Sequence, residues 1–176
     1  MVTLRAITAK EFADYCEYFV DDYSRDIAAN QGHSKERALE LAQQTLEQSF
    51  PQGAESQGHQ LFCIEQQSEL IGYLWHSIQA SDQSTYIYDF YIFPKQRNKG
   101  FGKLAMKALE QQLTGFGINQ IKLRVAFSNQ RALALYQELG FVLPATTCLK
   151  PLPSSVNLVG FWRRHLADCL ATVSIS

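Results

Sequence analysis

A basic turn that carries two glycines, near the middle of the chain, has the residue types that bind phosphate. Residues 94–103 contain four cationic side chains, and no acidic residue lies between Asp89 and Glu110. Gly100 and Gly102 have no Cβ to keep a ligand away from the backbone. If a helix begins here, its first N–H groups lack intrahelical partners and carry partial positive charge. The turn therefore predicts a site for a phosphate-bearing ligand, with a loop of solvated lysines as the alternative.

The flanking residues supply the strand and the helix that such a turn needs. Thr85 to Phe93 is rich in β-branched and aromatic residues, which is typical of a strand, and Pro94 lacks the N–H that would continue it. From Phe101 onward, apolar residues recur on one helical face: Leu104, Ala105, Ala108, Leu109 and Leu113. The P-loop motif is absent, and the dinucleotide fingerprint lacks its acidic residue about 20 positions on. A dinucleotide-dependent oxidoreductase is therefore a distant alternative.

A second pattern follows a strand predicted over 118–127. Asn129 and Tyr136 are seven residues apart, so they share one face of a short helix predicted over 130–139. A phenol with a pKa near 10 can donate a proton to a departing thiolate. The alternative for Tyr136 is a core tyrosine that packs under the sheet.

Both patterns resemble those of the GCN5-related N-acetyltransferases, the GNAT superfamily. Arg97-Asn98-Lys99-Gly100-Phe101-Gly102 is similar to the acyl-CoA signature R/Q-x-x-G-x-G/A, and residues 129–141 are similar to N-x-x-A-x-x-x-Y-x-x-x-G-F. The resemblance covers about residues 2–150. It implies an α/β fold with a mixed, mostly antiparallel central sheet and helices on both faces. It also implies direct transfer of an acetyl group from acetyl-CoA to a primary amine, without a metal.

The resemblance implies a role for each matching residue. Tyr136 would be the general acid that protonates coenzyme A as it leaves. Backbone groups of Phe90, Tyr91 and Ile92 would pair with pantetheine and hold the thioester oxygen. The pyrophosphate would lie on the backbone of 98–103. The other predicted cofactor-binding residues are Arg97, Asn98, Lys99, Gly100, Phe101, Gly102, Lys103 and Asn129.

The general base is less well defined by the sequence. Asp89 is the only acidic residue of the strand before the turn, and aromatic residues surround it along the chain: Tyr86, Tyr88, Phe90 and Tyr91. If they bury Asp89, its pKa would rise toward the range useful for a base. A structural carboxylate is an equal alternative for Asp89. His59, His76 or a water chain are further candidates for the base.

Length and composition favour one domain. The chain has 176 residues, of which 46% are hydrophobic, so a core can form. No apolar run approaches the ~20 residues of a membrane span, and the first residues lack the apolar stretch of a signal peptide. The four cysteines are widely spaced with no C-x-x-C. We therefore expect free thiols, no metal site, no membrane partner and a cytoplasmic location.

The charge is divided unevenly along the chain. Residues 1–93 carry 14 acidic and 5 basic residues, whereas residues 94–176 carry 3 and 11. This asymmetry suggests two ligands of opposite sign, with a cationic acceptor near Asp21, Asp22 and Asp26. Nucleic acid is not expected, because the lysines cluster at one turn. The expected partner is a small-molecule or peptide amine, and a homodimer and a non-catalytic CoA-binding module remain open alternatives.

The predicted element order is βααβββαβαβ, which indicates a mixed sheet with helices on both faces. Thr8 and Glu11 form the capping box of the first helix. The predicted acetyltransferase domain spans 1–150 and ends in a strand over 141–149. Residues 151–176 form an extension whose role the sequence leaves open: an extra helix, a dimer interface or a disordered tail.

Overall fold

The computed structural model describes residues 1–126 and 128–142, together with the backbone of 171–174. The helices and strands follow one another in the order βααβββαβαβ. Their bounds are β1 Val2–Ala6, α1 Ala9–Gln31, α2 Lys35–Ser49, β2 Gln60–Gln66, β3 Glu69–Gln79, β4 Ser84–Ile92, α3 Phe101–Gly115, β5 Gln120–Leu123, α4 Gln130–Glu138 and β6 Ala171–Ser174.

The strands form one mixed, mostly antiparallel sheet, as predicted. Their order in the sheet is the order of the chain, β1 to β6, and each neighbouring pair is antiparallel except β4 and β5. The parallel pair needs a crossover, and α3 provides it. Strand β6 lies within residues 151–176 and pairs with β5. The division of the chain at residue 150 stays a prediction.

Side-chain caps explain where the first two helices begin. The Thr8 hydroxyl accepts a hydrogen bond from the Glu11 N–H at 3.3 Å, and the Glu11 carboxylate accepts one from the Thr8 N–H at 3.0 Å. Ser34 caps α2 by accepting from the Arg37 N–H. These bonds satisfy N–H groups that a helix start leaves without partners.

Two separate cores hold the helices on opposite faces of the sheet. On one face, α1 and α2 pack against β2 and β3 around Tyr15, Phe19 and Trp75. On the other face, α3 and α4 pack around Leu109 and Tyr136. The prediction of helices on both faces is therefore confirmed, and side chains on either face of β4 meet different helices.

Strand β5 is shorter than predicted. It ends at Leu123 rather than at residue 127, because β4 and β5 pair only over Ser84–Ile87 and Gln120–Leu123. Most of the strand predicted over 141–149 lies outside the described residues. Phe141 itself is buried against the Tyr136 ring, with the ring centroids 5.2 Å apart. In the described part of the chain, no helix has the length and apolar character to cross a membrane.

Candidate active site

The sheet opens between β4 and β5. Beyond Ile87, β4 continues for five more residues, whereas β5 has already ended. On its other edge β4 remains paired with β3, and the Phe93 N–H donates to the Ile71 carbonyl at 2.9 Å. Because antiparallel pairing alternates along a strand, the backbone groups of Tyr91 also face β3, and those of Phe90 and Ile92 face the opening.

A β-bulge in β4 decides which face its acidic residue occupies. Trp75 pairs with Asp89, while the next residue, His76, pairs with Ile87, so Tyr88 is an extra residue. In a regular strand, residues two apart lie on the same face, so without the bulge Asp89 would share the face of Ile87 and meet α3 and α4. The bulge shifts the alternation, and the Asp89 side chain faces α1.

Two phenols of α1 hold the Asp89 carboxylate. The Tyr15 hydroxyl donates to Oδ2 at 3.3 Å, and the Tyr18 hydroxyl donates to Oδ1 at 3.4 Å. Burial raises the pKa of Asp89 to about 7; the nearby Asp22 charge adds to this, and the phenols and the Phe90 N–H oppose it. A carboxyl group with this pKa exchanges protons at neutral pH.

The basic turn leads into α3 as predicted. Asn98 and Gly100 have φ of 60° and 79°, in the left-handed region. The first hydrogen bond of α3 runs from the Leu104 N–H to the Gly100 carbonyl at 3.2 Å. The backbone N–H groups before Leu104 therefore have no acceptor within the helix. A Cβ at Gly100 would meet nothing within 4 Å, whereas one at Gly102 would lie 3.3 Å from the Leu135 side chain.

One cavity of about 1860 Å³ joins the turn, the strand opening and α1. It is bordered by Asp89 and Tyr136, the two predicted catalytic residues. It also contains every predicted cofactor-binding residue except Lys99: Phe90, Tyr91, Ile92, Arg97, Asn98, Gly100, Phe101, Gly102, Lys103 and Asn129. The exposed Lys99 donates from Nζ to the Gln96 side chain at 2.8 Å.

Tyr136 reaches the cavity from α4, on the opposite side of the opening from α1. Its side chain is only 7% exposed. Burial raises its pKa above the usual range, and the Asp89 charge contributes to the increase. Among residues 1–126 and 128–142, no hydrogen bond engages its hydroxyl. The phenol is therefore protonated at neutral pH, and it donates to no group within the described residues.

Three predicted cofactor-binding side chains have partners of their own. Arg97 donates from Nε to the Ile92 carbonyl at 2.8 Å, and its guanidinium lies 5.1 Å from the centroid of the Tyr91 ring. Lys103 forms an ion pair with Glu138. The Asn129 side chain caps α4 by accepting from the Ala132 N–H at 3.2 Å. These contacts hold the turn, β4 and α4 in place around the cavity.

Neither histidine named as an alternative base borders the cavity. The His76 Nδ1 lies 2.8 Å from the Thr85 hydroxyl inside the sheet, and burial lowers the pKa of His76 to about 4. His59 accepts from the Trp75 indole N–H at 3.0 Å, and burial lowers its pKa as well. Within the described residues, no three His, Cys, Asp or Glu side chains are arranged to hold a metal ion.

Sequence reasoning missed the residues that contact Asp89. Tyr15 and Tyr18 precede Asp89 by 74 and 71 residues, whereas the prediction for Asp89 rested only on its neighbours in the chain. It also missed Gly72 of β3, where a Cβ would overlap the Tyr91 carbonyl oxygen. The signal available in the sequence was the i, i+3 spacing of the two tyrosines, which puts both phenols on one face of α1.

The fold is that of the N-acetyltransferases. The solved structure of the acetyltransferase YycN from Bacillus subtilis matches with a TM-score of 0.80 and 28% identity, over 88% of this chain and 100% of that one. In a sequence comparison, YycN is 29% identical over 143 residues, which are 80% of this chain and 92% of YycN. The solved structure of spermidine N-acetyltransferase from Vibrio cholerae shares the fold, with a TM-score of 0.65 and 18% identity. The match covers 99% of this chain and 95% of the V. cholerae chain.

The family follows from the sequence match. The model of the acetyltransferase (GNAT) family matches residues 13–141. The chain therefore belongs to the GNAT family of N-acetyltransferases, and the resemblance noted in its two motifs is confirmed.

Proposed function

We propose that this protein is an acetyl-CoA-dependent enzyme that acetylates a primary amine by direct transfer. The observation that carries the proposal is that Asp89 and Tyr136 border one cavity, which continues to the open amides of the turn before α3. One group is poised to accept a proton at neutral pH, and the other is held protonated.

The turn has the properties that a diphosphate requires. Its amides precede the first helical hydrogen bond, the start of a helix favours negative charge, and the space above Gly100 is open. Arg97 and Lys103 add positive charge beside it. Coenzyme A is bound in the solved structure of the V. cholerae spermidine N-acetyltransferase, whose fold this chain shares. The phosphates would lie on residues 98–103.

The open edge of β4 suits the rest of the cofactor. Phe90 and Ile92 direct their backbone groups toward the opening, where an extended chain could add to the sheet edge. An N–H directed at the developing oxyanion contributes on the order of 2.7–4 kcal/mol to catalysis. Tyr91, whose backbone faces β3, can contribute its ring to the cavity wall.

Two side chains would carry the proton transfers. Acetyl-CoA supplies an activated acetyl group as a thioester. Asp89 accepts the proton that the ammonium group must lose before the amine can attack. Tyr136 donates its proton to the departing sulfur, and the second proton, which the nitrogen loses as the amide forms, restores the phenol through solvent. Asp89 releases the first proton to solvent. The exchange makes one C–N bond, breaks one C–S bond and releases one proton, so protons and electrons balance.

Calorimetry and a thiol assay test the proposal together. We expect acetyl-CoA to bind in a titration and free thiol to appear when a panel of primary amines is added. The alternative is an acyl-CoA-binding module without catalysis. Tight binding with no thiol release for any amine, small molecule or peptide, would favour that module over the enzyme.

The remaining assignments follow from the same proposal. The partner would be the amine acceptor, and we propose no part for a metal, nucleic acid or membrane. Cys16 and Cys63 are free thiols, which agrees with a reducing compartment such as the cytoplasm. A homodimer is a prediction that sedimentation would test.

A further inference from the structure

The aromatic core between α1 and the sheet contains a histidine that the proposed proton transfers do not use. His59 lies immediately before β2, and its Nδ1 accepts a hydrogen bond from the Trp75 indole N–H at 3.0 Å. Because an indole N–H can only donate, Nδ1 is the unprotonated nitrogen, and neutral His59 carries its proton on Nε2. The backbone before His59 is fixed as well, since the Ser77 hydroxyl donates to the Gly58 carbonyl at 2.6 Å. His59 is therefore a fixed acceptor for one indole.

Trp75 connects this histidine to the bulge of β4. The Trp75 side chain is completely buried. Across the sheet Trp75 pairs with Asp89, and directly paired residues of neighbouring strands have their side chains on the same face. The indole stacks on the ring of Tyr88, the extra residue of the bulge, with the centroids 4.8 Å apart and 20° between the ring planes. The His59 ring meets the Tyr88 ring edge-on at 5.3 Å. Trp75 and His59 therefore both contact the residue that makes the bulge.

The hydrogen bond from the indole fixes more than the ring contacts do. Phe19 and Phe50 also pack on Trp75, with centroids at 5.3 and 4.9 Å, but a phenyl ring gives the indole N–H no lone pair to bond. A buried N–H without an acceptor is costly, so without His59 the indole would turn to find another acceptor or water. The stacked Tyr88 ring would then lose its support.

We propose that His59 is a positioning residue for the proposed base, Asp89. It holds the Trp75 indole, the indole holds Tyr88, and the resulting bulge keeps the Asp89 carboxyl group on the α1 face. This inference rests on the proposed function, because the group that is positioned is the base of the acetyl transfer. His59 itself does not border the cavity and takes no proton from the acceptor.

Two substitutions of His59 separate its acceptor from its ring. His59→Phe keeps an aromatic ring but offers no acceptor to the indole N–H. His59→Asn removes the ring, but its amide oxygen is attached to Cγ, as Nδ1 is, and can accept from the same donor. We expect His59→Phe to lower kcat by ~10-fold or more with KM for acetyl-CoA nearly unchanged, because small misplacements of a catalytic group are costly. His59→Asn should retain most of the wild-type kcat.

The Asp89 carboxyl group can be followed without any activity measurement. In a carbon NMR titration, the pKa of Asp89 should fall by about one pH unit or more in His59→Phe, because burial causes its high value and a loosened bulge admits water. The pKa should stay near the wild-type value in His59→Asn. The Trp75 indole N–H should exchange with deuterium faster in His59→Phe than in the other two proteins. An unchanged Asp89 pKa in His59→Phe, or equal shifts in both variants, would overturn the proposal.

Controls distinguish positioning from a general loss of stability. Leu46→Ala opens space in the same core but leaves the hydrogen bond in place, so it should destabilise the protein without moving the Asp89 pKa. Trp75→Phe breaks the same hydrogen bond from the donor side, and adding His59→Phe to it should cause no further shift. Additive shifts would mean that His59 does not act through Trp75. If His59→Phe does not fold, Trp75→Phe alone tests the proposal, and a wild-type Asp89 pKa in it would be a refutation.

Thiol release separates this inference from the proposed function. If the NMR pattern holds but no amine releases thiol, the role of His59 in fixing Asp89 is supported and acetyl transfer is refuted. If thiol is released, and both kcat and the Asp89 pKa are the same in His59→Phe as in the wild type, the role of His59 is refuted and acetyl transfer stands.

Discussion

The phenol of Tyr18 donates a hydrogen bond to Oδ1 of Asp89 at 3.4 Å. Because a donated hydrogen bond stabilises the ionised carboxylate, Tyr18 opposes the increase in the Asp89 pKa that burial causes. The bond also fixes the carboxylate against α1. Tyr18 is therefore a positioning residue for the proposed base, and Tyr15 has the same relationship to Oδ2.

Tyr18→Phe should move the acidic limb of the pH–rate profile. The variant keeps the ring, which lies 4.2 Å from the Tyr91 ring centroid, but it loses the donor. The pKa of Asp89 should rise, so a higher pH is needed before the base is ionised, and kcat/KM should begin its increase at higher pH than in the wild type. Tyr88→Phe is the control, since it removes a nearby hydroxyl that does not bond Asp89. If the acidic limb of the pH–rate profile is unchanged in Tyr18→Phe, the Tyr18 hydroxyl does not influence the pKa of the base.

Asp89→Asn should lower activity and change the pH dependence of stability. Loss of a general base typically costs ~10²-fold or more in kcat, with acetyl-CoA binding retained in calorimetry. In the wild type, the pKa of Asp89 is about 7 when folded and near 3.8 when unfolded. Between these values the unfolded state binds fewer protons, so the contribution of Asp89 to stability falls as pH rises.

The stability of Asp89→Asn relative to the wild type should therefore increase between pH 4 and pH 8, by on the order of a few kcal/mol. Urea unfolding of both proteins at the two pH values measures the difference. Shifts caused by other groups, such as Glu11, cancel in this comparison. A constant difference across the range would mean that the carboxyl group titrates normally in the folded protein.

Tyr136→Phe should reduce kcat by ~10²-fold or more while acetyl-CoA affinity changes little. The substitution removes only the hydroxyl, and the ring keeps its contact with Phe141. Single-turnover thiol release and a calorimetric titration give the two quantities separately. Wild-type turnover in the variant would exclude Tyr136 as the general acid.

Gly72→Ala should destabilise the protein severely. A Cβ there would overlap the Tyr91 carbonyl oxygen and lie 3.1 Å from the Ile92 Cα. Both are backbone atoms, so β3 and β4 must move apart, at a cost of about 3 kcal/mol or more in the free energy of unfolding. Gly115→Ala, at the exposed end of α3 with nothing within 4 Å, should be neutral or stabilise by up to about 1 kcal/mol. Chemical denaturation of the two variants checks the contrast.

The sequence by itself determined the elements and the two motifs. Side-chain caps at Thr8 and Ser34, the glycines of the turn, and hydrophobic periodicity all act over a few residues, so they can be read along the chain. The family follows from the same local patterns. Asp89 and Tyr136 could be named in advance because each stands in a recognisable strand or motif.

Only the tertiary structure decided how those residues are arranged. Strand alternation would have placed Asp89 on the face of Ile87, and the extra residue Tyr88 turns it toward α1. There it meets Tyr15 and Tyr18, and the same helix brings Asp22 to the cavity. The physical reason is that pKa and cavity charge depend on distances through space between elements far apart in sequence, which local propensities do not specify.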